Sequence, residues 1–382
     1  MALSFNPTVS VSFPKTSTLV SDPTVVEMIS EIGSHEVAIL TYAYPDTTTT
    51  IPTEGTPVQI TYGDLGSVNL SSFYGYVNHH EAKNERTGSV LEIYCLGTSL
   101  PLNAPHPQTW TKSTSNKIVE DVAKRQNMRS VQTKSSEVLT SWVQSGETDF
   151  KMLERLARRD GMRFWISDAT IYFIDPSTVL QGANSRNTVT LSMNHDFRTD
   201  TLMSFKPLVG SLVPGNRAVS VNNVYGVDSN GKTIKVSSSQ GSSLVQSILS
   251  KTIEYSATSP AEAKSIAQKQ ANNANWSTGI AQIATTSALN IGNVVDLEGS
   301  QLYGTYAGNW LITGINDKFV VPRNNQDTST QRVTHLTLSR NQPNQHVTKG
   351  TPGYGKAIPY FSPKLNNKGV WVSQASGTTY VG

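Results

Sequence analysis

The sequence contains little charge and a single cysteine. Only 15% of its 382 residues are charged, and the formal net charge is +3. A net charge this small does not by itself indicate a nucleic-acid-binding protein. Cys95 lies in the apolar run VLEIYCLG, so an intramolecular disulfide is excluded and we interpret the residue as a buried strand position. The chain therefore makes no use of an oxidising compartment.

Long apolar runs are also missing. No run approaches the roughly 18 residues that cross a bilayer, so we expect no membrane binding from the chain alone. The first residues, MALSFNPTVSVSF, lack the basic start and apolar core of a signal peptide. We therefore expect a protein that carries neither a secretion signal nor a membrane anchor.

The patterns that indicate catalysis or cofactor binding are absent too. None of the seven histidines lies in an HExxH pattern, and the sequence has no GxSxG, no phosphate loop and no GxGxxG that opens a helix. Asp149 and Glu154 lie five residues apart on a predicted helix, among arginines, which favours surface ion pairs over a glycosidase pair. We predict a protein that is not an enzyme, with no catalytic residue, no cofactor and no metal site.

Short alternating segments fill most of the chain. Residues 1–104 include VSVSF, EVAILTYAY and SVLEIYCLG, and residues 186–345 include VTLSM, KTIKVSS and RVTHLTLSRN around one predicted helix, SPAEAKSIAQKQANNANW. The abundance of Ser and Thr suits exposed strand positions. Many short strands between turn residues indicate a barrel or a sandwich. The sequence therefore predicts two β domains over these ranges.

Residues 105–185 interrupt the strands with a predicted α+β insert. In GETDFKMLERLARRDGMRFW (146–165), Thr148 is a plausible N-cap and Gly161 fits the position that follows a helix. Apolar side chains recur on one face of this helix, and a strand with a tryptophan follows it. We predict that the core of the insert contains Phe150, Leu153, Leu156 and Trp165.

Four arginines occur in the same stretch, namely Arg155, Arg158, Arg159 and Arg163. Their proximity to an aromatic residue raises the hypothesis of a nucleic-acid contact. A stacking platform needs exposed and repeated aromatic rings, whereas the neighbours of the tryptophan are apolar. A solvated helix end or a contact with another protein is therefore the favoured interpretation.

Residues 346–382 predict an extended C-terminal arm. From residue 347 onward the chain has six glycines, three prolines, four lysines and no acidic residue, together with five aromatic residues. This composition does not fold alone, but the aromatic residues favour an arm that docks over a disordered end. We predict that Phe361 and Trp371 contact a partner, either another protein or an adjacent copy of the chain, and that truncation after residue 346 leaves the β domains folded.

The order of these motifs resembles the baseplate hub proteins of contractile phage tails. The resemblance rests on GETDFKMLERLARRDGMRFWI, on YCLGTSLPLNAPHPQTWTKSTSNKIVEDVAKRQNM before it, and on NVVDLEG, GNWLITGINDKF and THLTLSRN after it. It covers about residues 60–342. The same motifs are similar to the hub part of the VgrG spikes of type VI secretion systems.

This resemblance implies a mainly β fold with two tail-tube-like β-barrels and a small α+β insert. It also implies a homotrimer whose six barrels form a pseudo-hexameric ring between the tail tube protein and the central spike protein, next to other baseplate proteins. DNA would pass through the lumen only as cargo. The implied location is the tail baseplate of the virion, after synthesis in the cytoplasm of the host bacterium.

One departure from VgrG concerns the spike. VgrG chains continue into an oligonucleotide-binding-type domain and a β-helical needle, so we expect the spike of this system to be a separate polypeptide. Two other functions stay open at this point. A tail-associated cell-wall hydrolase would need a catalytic constellation, and a carbohydrate-binding tail protein would need clusters of exposed aromatic residues on its sheets.

Overall fold

The structure is a computed structural model. It describes residues 6–15, 22–43, 50–64, 70–86, 88–135, 137–181, 188–193, 200–208, 221–228, 230–239, 250–274, 276–284, 288–302, 306–322, 330–341 and 358–381. Strands dominate these residues, and a few helices lie between them, as predicted for a mainly β protein with an α+β insert.

Six strands form the first β region. They are β1 Pro7–Ser12, β2 Val25–Glu31, β3 Val37–Ala43, β4 Pro57–Asp64, β5 Ser71–Glu85 and β6 Gly88–Gly97. They neighbour one another in the order β1-β4-β5-β6-β3-β2, and every pair is antiparallel. Alternate side chains of these strands, among them Leu40, Ile60 and Ile93, fill one apolar core together with Cys95.

Six further strands form a closed barrel. They are β12 Thr188–Ser192, β13 Thr201–Leu208, β17 Ser277–Ala284, β18 Val294–Glu298, β19 Gly308–Val320 and β20 Gln331–Arg340. The order is β19-β18-β12-β13-β17-β20, and a further pairing between β19 and β20 closes the ring. Trp310, Leu336 and Leu338 are fully buried inside it.

The two β regions repeat one arrangement. When the strands of each region are numbered from one to six in chain order, both regions follow the order 1-4-5-6-3-2. The ladder between the fifth and sixth strands shifts register at Asn78 in the first region and at Thr313 in the second. The regions differ in their first strand, because β1 runs antiparallel to β4 whereas β12 runs parallel to β18.

The two β regions share one continuous sheet of twelve strands. The junction is the antiparallel ladder between β2 and β19, in which seven residue pairs run from Gly314↔Glu31 to Val320↔Val25. Each ladder pair satisfies backbone groups that would otherwise be exposed at a strand edge. The second strand of one region is thus joined to the fifth strand of the other.

The insert lies between the two β regions in the chain. Its elements are the 3₁₀ turn Leu100–Asn103, β7 Gln108–Thr114, α1 Ser115–Arg125, β8 Arg129–Gln132, β9 Val138–Gln144, α2 Asp149–Asp160, β10 Arg163–Ser167, β11 Thr170–Ile174 and α3 Pro176–Gln181. β7 and β9 form a separate ribbon, and the main sheet has the order β10-β11-β8. The buried sides of α1 and α2 cover this sheet in one core.

Part of the predicted second β domain lies outside its barrel. β14 Val221–Val227, β15 Thr233–Ser239 and β16 Ser250–Ala257 form their own three-stranded sheet, covered by α4 Pro260–Ala274. The segment interrupts the second region between its second and third strands. The single domain predicted over 186–345 therefore contains two β units, because alternation predicts a strand but does not specify its sheet.

The last described residues form three short strands. They are β21 Pro363–Leu365, β22 Trp371–Ser373 and β23 Thr378–Tyr380. β21 and β22 form a hairpin, and β23 adds to the edge of the insert sheet by pairing parallel with β8. The described part of the predicted arm therefore lies against its own chain.

Candidate functional site

The insert helix α2 is fixed by local signals at both ends. The hydroxyl of Thr148 accepts a hydrogen bond from the backbone N–H of Lys151 at 3.2 Å, and Gly161 takes a left-handed conformation with φ 70°. Thr148 caps the start of the helix and Gly161 ends it, and each satisfies a backbone group at its end of the helix. Three of the predicted core residues, Phe150, Leu153 and Leu156, lie in the insert core with at most 3% of their surface exposed.

Trp165, the fourth predicted core residue, lies on the opposite face of the insert sheet. Phe164 and Ile166 on either side of it point into the helix-covered core, because side chains alternate along a strand. The indole instead stacks on Tyr172 at 4.8 Å between ring centroids. A Cβ added to Gly292 of the second β region would lie 2.8 Å from the indole, so this contact requires a glycine.

The arginines of residues 146–165 divide into exposed and buried ones. Arg158 pairs with Glu154 at 2.7 Å, and 63% of its side chain is exposed. Arg155 pairs with Glu147, donates to the carbonyl oxygen of Val143 at 2.7 Å and lies 4.1 Å from the Trp142 ring. These contacts hold the helix against the β7–β9 ribbon.

Arg159 is buried and joins the insert to α4. Only 3% of its side chain is exposed, and its guanidinium pairs with Asp160 at 2.5 Å, Glu137 at 3.0 Å and Glu262 at 2.7 Å. Glu262 uses its other carboxylate oxygen to accept the N–H of Thr258 at 2.9 Å, before the start of α4. The expectation that all four arginines are surface or inter-protein contacts does not hold for this residue.

Glu137 receives two cations at the same junction. Lys269 of α4 donates to it at 2.5 Å, beside the contact from Arg159. Burial acts to raise the pKa of this carboxyl, but the hydrogen bond from Lys269 and the charge of Arg159 outweigh it and hold the pKa below its usual range. The carboxylate is therefore charged at neutral pH and links α4 to the insert helix α2.

The turn between β2 and β3 docks the first β region on the insert. The N–H of Gly33 donates to the carbonyl oxygen of Phe164 at 2.7 Å. The His35 ring stacks on Phe150 with centroids 3.9 Å apart, and its Nδ1 lies 2.7 Å from the hydroxyl of Ser99. Burial lowers the pKa of His35. The imidazole therefore stays neutral at neutral pH and packs as an aromatic ring.

A buried carboxyl follows in the same turn. Glu36 is 9% exposed, and burial raises its pKa to about 7. Nearby, Asp168 and Ala169 form the tip of the β10–β11 hairpin, both with φ 53°, a conformation that non-glycine residues rarely adopt. The N–H of Ala169 donates to the hydroxyl of Thr98 at 2.9 Å, and burial together with Glu36 raises the pKa of Asp168. The tip of this insert hairpin is thus held against the first β region.

The structure places Trp371, a predicted partner contact, on the first β region of its own chain. Its backbone N–H donates to the hydroxyl of Tyr76 at 2.6 Å, and its indole N–H donates to the carbonyl oxygen of Gly75 at 2.9 Å. Only 4% of its surface is exposed. Both N–H donors of this residue are satisfied within the chain, so it is not available as an external anchor in this conformation.

Phe361, the other predicted contact, is partly buried against the insert. The guanidinium of Arg129 lies 3.9 Å above its ring. Around it, Ile358 and Val381 join Trp165 and Ile291 in one apolar cluster between the arm, the insert sheet and the second β region. The arm therefore closes the face of the insert sheet that α1 and α2 leave open.

A site for chemistry does not emerge from the described residues. Within them, no three His, Cys, Asp or Glu side chains lie close enough together to hold a metal ion. The same ranges contain no helix of the length and apolarity needed to cross a membrane. The contacts described above instead join the insert to α4, to the arm and to the two β regions.

The sequence profile of the phage tail baseplate hub (GPD) family matches residues 55–318. The chain belongs to this family. The match covers the whole insert and part of each β region, which agrees with the resemblance drawn from the insert helix and the motifs around it. A comparison with curated proteins finds no match.

Solved structures share the fold of this hub-family chain. A tail protein from Neisseria meningitidis has a TM-score of 0.65 at 13% identity, over 88% of this chain and 97% of its own. The 43 kDa tail protein of prophage MuSo2 from Shewanella oneidensis gives 0.63 at 13% identity, over 88% and 98%. A type VI secretion component from E. coli gives 0.54 at 14% identity, over 93% and 82%. The fold is thus common to phage tails and a contractile injection system.

Proposed function

We propose that three copies of this chain form a ring that joins the tail tube to the central spike in the baseplate. The observation that carries the proposal is the repeated strand order of the two β regions. Two copies of one arrangement in each chain let a trimer present six similar units. Such a ring matches a sixfold tube on one side and a threefold spike on the other.

The joints of the insert support this role. Arg159, Glu137 and Lys269 fix the insert to α4, and the turn that contains Gly33 fixes it to the first β region. A part that transmits force between tube and spike needs rigid connections between its domains. Satisfied buried ion pairs and backbone hydrogen bonds provide them.

The proposed partners are two further copies of the chain, the tail tube protein, the spike protein as a separate polypeptide and other baseplate proteins. DNA passes through the lumen as cargo. The ring acts as an adaptor and not as an enzyme. The protein is made in the cytoplasm of the host bacterium and ends in the tail baseplate of the virion.

The experiment is a mass measurement on the purified full-length chain, by light scattering over a concentration series, with particle images in parallel. The expected result is three times the chain mass of 41.5 kDa and a threefold ring with six lobes. A monomer at all concentrations, also in the presence of tube and spike proteins, would overturn the trimeric ring. A ring of another symmetry would do the same.

A further inference from the structure

In the two β regions, one segment of β5 and one segment of β13 lack a β partner along one edge within the described residues. In β5, residues 71–76 pair with β4, but the same edge of residues 79–85 has no partner strand among the described residues. In β13, residues 204–208 pair with β17 on one side, and β13 meets β12 only at Ser192↔Thr201. Exposed edges of this kind accept a strand from another chain.

The chain already contains the junction that these two edges would form. In β19, residues 308–311 pair with β18, the register shifts at Thr313, and residues 314–320 then pair with β2. β5 leaves β4 in the same way and shifts register at Asn78. β5 and β19 are both fifth strands, and β2 and β13 are both second strands. The open edge of β5 therefore corresponds to the paired edge of β19, and the open edge of β13 corresponds to the paired edge of β2.

We propose that residues 81–85 of one copy pair antiparallel with residues 204–208 of the next copy, in the manner of β19 and β2. This inference rests on the proposed trimeric ring. Three junctions of the β2–β19 type inside the chains would then alternate with three junctions of the β13–β5 type between chains. All six units of the ring would be joined by the same strand pairing.

The ladders of the two regions fix the register. His79 and Gly314 are each the first paired residue after the register shift in a fifth strand, so His79 occupies the position of Gly314. The residue pairs that lead from these two positions through the sixth and third strands to the second strand place Lys206 in the position of Glu27. Since Glu27 lies opposite Lys318, Lys206 lies opposite Lys83 in the next copy.

Both lysines are exposed in the single chain, which the pairing requires of its outward-facing positions. Like charges directly opposite one another weaken a strand pair. Glu81, two residues from Lys83 on the same face of β5, provides an opposite charge on the diagonal. A crosslink between these two lysine positions is therefore a direct test of the register.

The test is a disulfide between the two positions in the full-length chain. The double variant Lys83→Cys/Lys206→Cys is oxidised under mild conditions and run on a denaturing gel without reductant. Opposed strand residues lie within the Cα distance that a disulfide spans. We expect covalent dimers and trimers in most of the protein, and their loss on reduction. The native Cys95 is fully buried and does not interfere.

Three controls match the double variant. Each single variant places a cysteine at one edge only, and Lys206→Cys/Thr111→Cys keeps one edge but moves the other cysteine to an exposed position on the β7–β9 ribbon. All three are expected to remain monomeric on the gel. Equal crosslinking in the control pair would show random collision and overturn the proposed pairing.

The native mass of the same samples separates this inference from the ring itself. A trimer with covalent products specific to the double variant supports both. A trimer whose double variant gives no covalent product overturns the pairing of β5 with β13 and leaves the ring standing. A protein that neither forms trimers nor crosslinks overturns both.

Discussion

Arg159 and Glu262 form an ion pair of 2.7 Å, although 103 residues separate them in the chain. The pair ties the insert helix to the three-stranded unit that interrupts the second β region. Asp160 and Glu137 also contact the guanidinium. This buried cation therefore contacts carboxylates from α2, from the segment before β9 and from α4, and Lys269 supplies a second cation to Glu137.

Removal of this cation is expected to be far more damaging than removal of its exposed neighbour. Arg159→Ala leaves the buried Asp160 without its close partner and removes one of the two cations at Glu137, so it should cost about 3–5 kcal/mol of unfolding free energy. Arg158→Ala, one residue away and 63% exposed, should stay within about 0.5 kcal/mol. Chemical denaturation of both full-length variants checks this. Equal losses would mean that the buried network does not stabilise the fold.

The insert core gives a second prediction. Leu153 is fully buried between α2 and the insert sheet, so Leu153→Ala should cost about 2–5 kcal/mol through lost contacts and the cavity that remains. Val143→Ala is the matched control, because that side chain is 50% exposed. Thermal melts of the two variants should differ clearly. A Leu153 variant that melts with its control would contradict the assignment of the buried helix face.

Local signals made the insert helix predictable. Thr148, the apolar spacing and Gly161 are contiguous in sequence, so cap and face follow without knowledge of the rest of the chain. Trp165 was harder, since the strand Arg163–Ser167 is apolar on both faces and its alternation does not say which face a helix covers. The face on which Trp165 is buried depends on its contacts with Ile291 and Ile358, which are distant in sequence.

Long-range pairing could not be predicted from the sequence. Val221–Val227 alternates like a barrel strand, yet it pairs with Thr233–Ser239 in a separate sheet. Likewise, Glu262 accepts the N–H of Thr258 just before α4, a contact local in sequence, but its pairing with Arg159 depends on how α4 packs on α2. Aromatic residues in a Gly- and Pro-rich arm indicated docking, while their composition did not distinguish docking on the same chain from docking on a partner.

The arm is expected to contribute to the stability of its own chain. Truncation after residue 346 removes Ile358, Trp371 and Val381, which are all buried, and exposes the apolar face around Trp165. The truncated chain should therefore melt at a lower temperature, contrary to the expectation from composition. Trp371→Ala alone should cost about 3–5 kcal/mol.

The control for the arm is Lys368→Ala, an exposed residue in the turn of the β21–β22 hairpin. It should melt like the unchanged protein. If truncation left the melt unchanged and instead weakened binding to the spike, the arm would be an external anchor rather than part of its own chain.

The buried carboxyl of Glu36 predicts a dependence of stability on pH. Burial raises its pKa from 4.5 to about 7, so the folded protein keeps the proton over a range in which the unfolded chain releases it. The stabilisation from this group is therefore complete below about pH 4.5 and is lost as the pH rises through about 7. Asp168 acts in the same direction, because burial and the nearby Glu36 raise its pKa as well.

Glu36→Gln should remove this dependence, because the amide has the shape of the protonated acid and never ionises. At pH 8 the variant should be more stable than the unchanged protein, by up to about 3 kcal/mol, and near pH 4.5 the difference should vanish. Denaturation of both proteins across this range measures it, with Glu31→Gln, an exposed carboxyl on β2, as the control. A Glu36 variant that is destabilised at pH 8 would show that the ionised carboxylate is needed in the fold, and that the joint between the first β region and the insert relies on its charge.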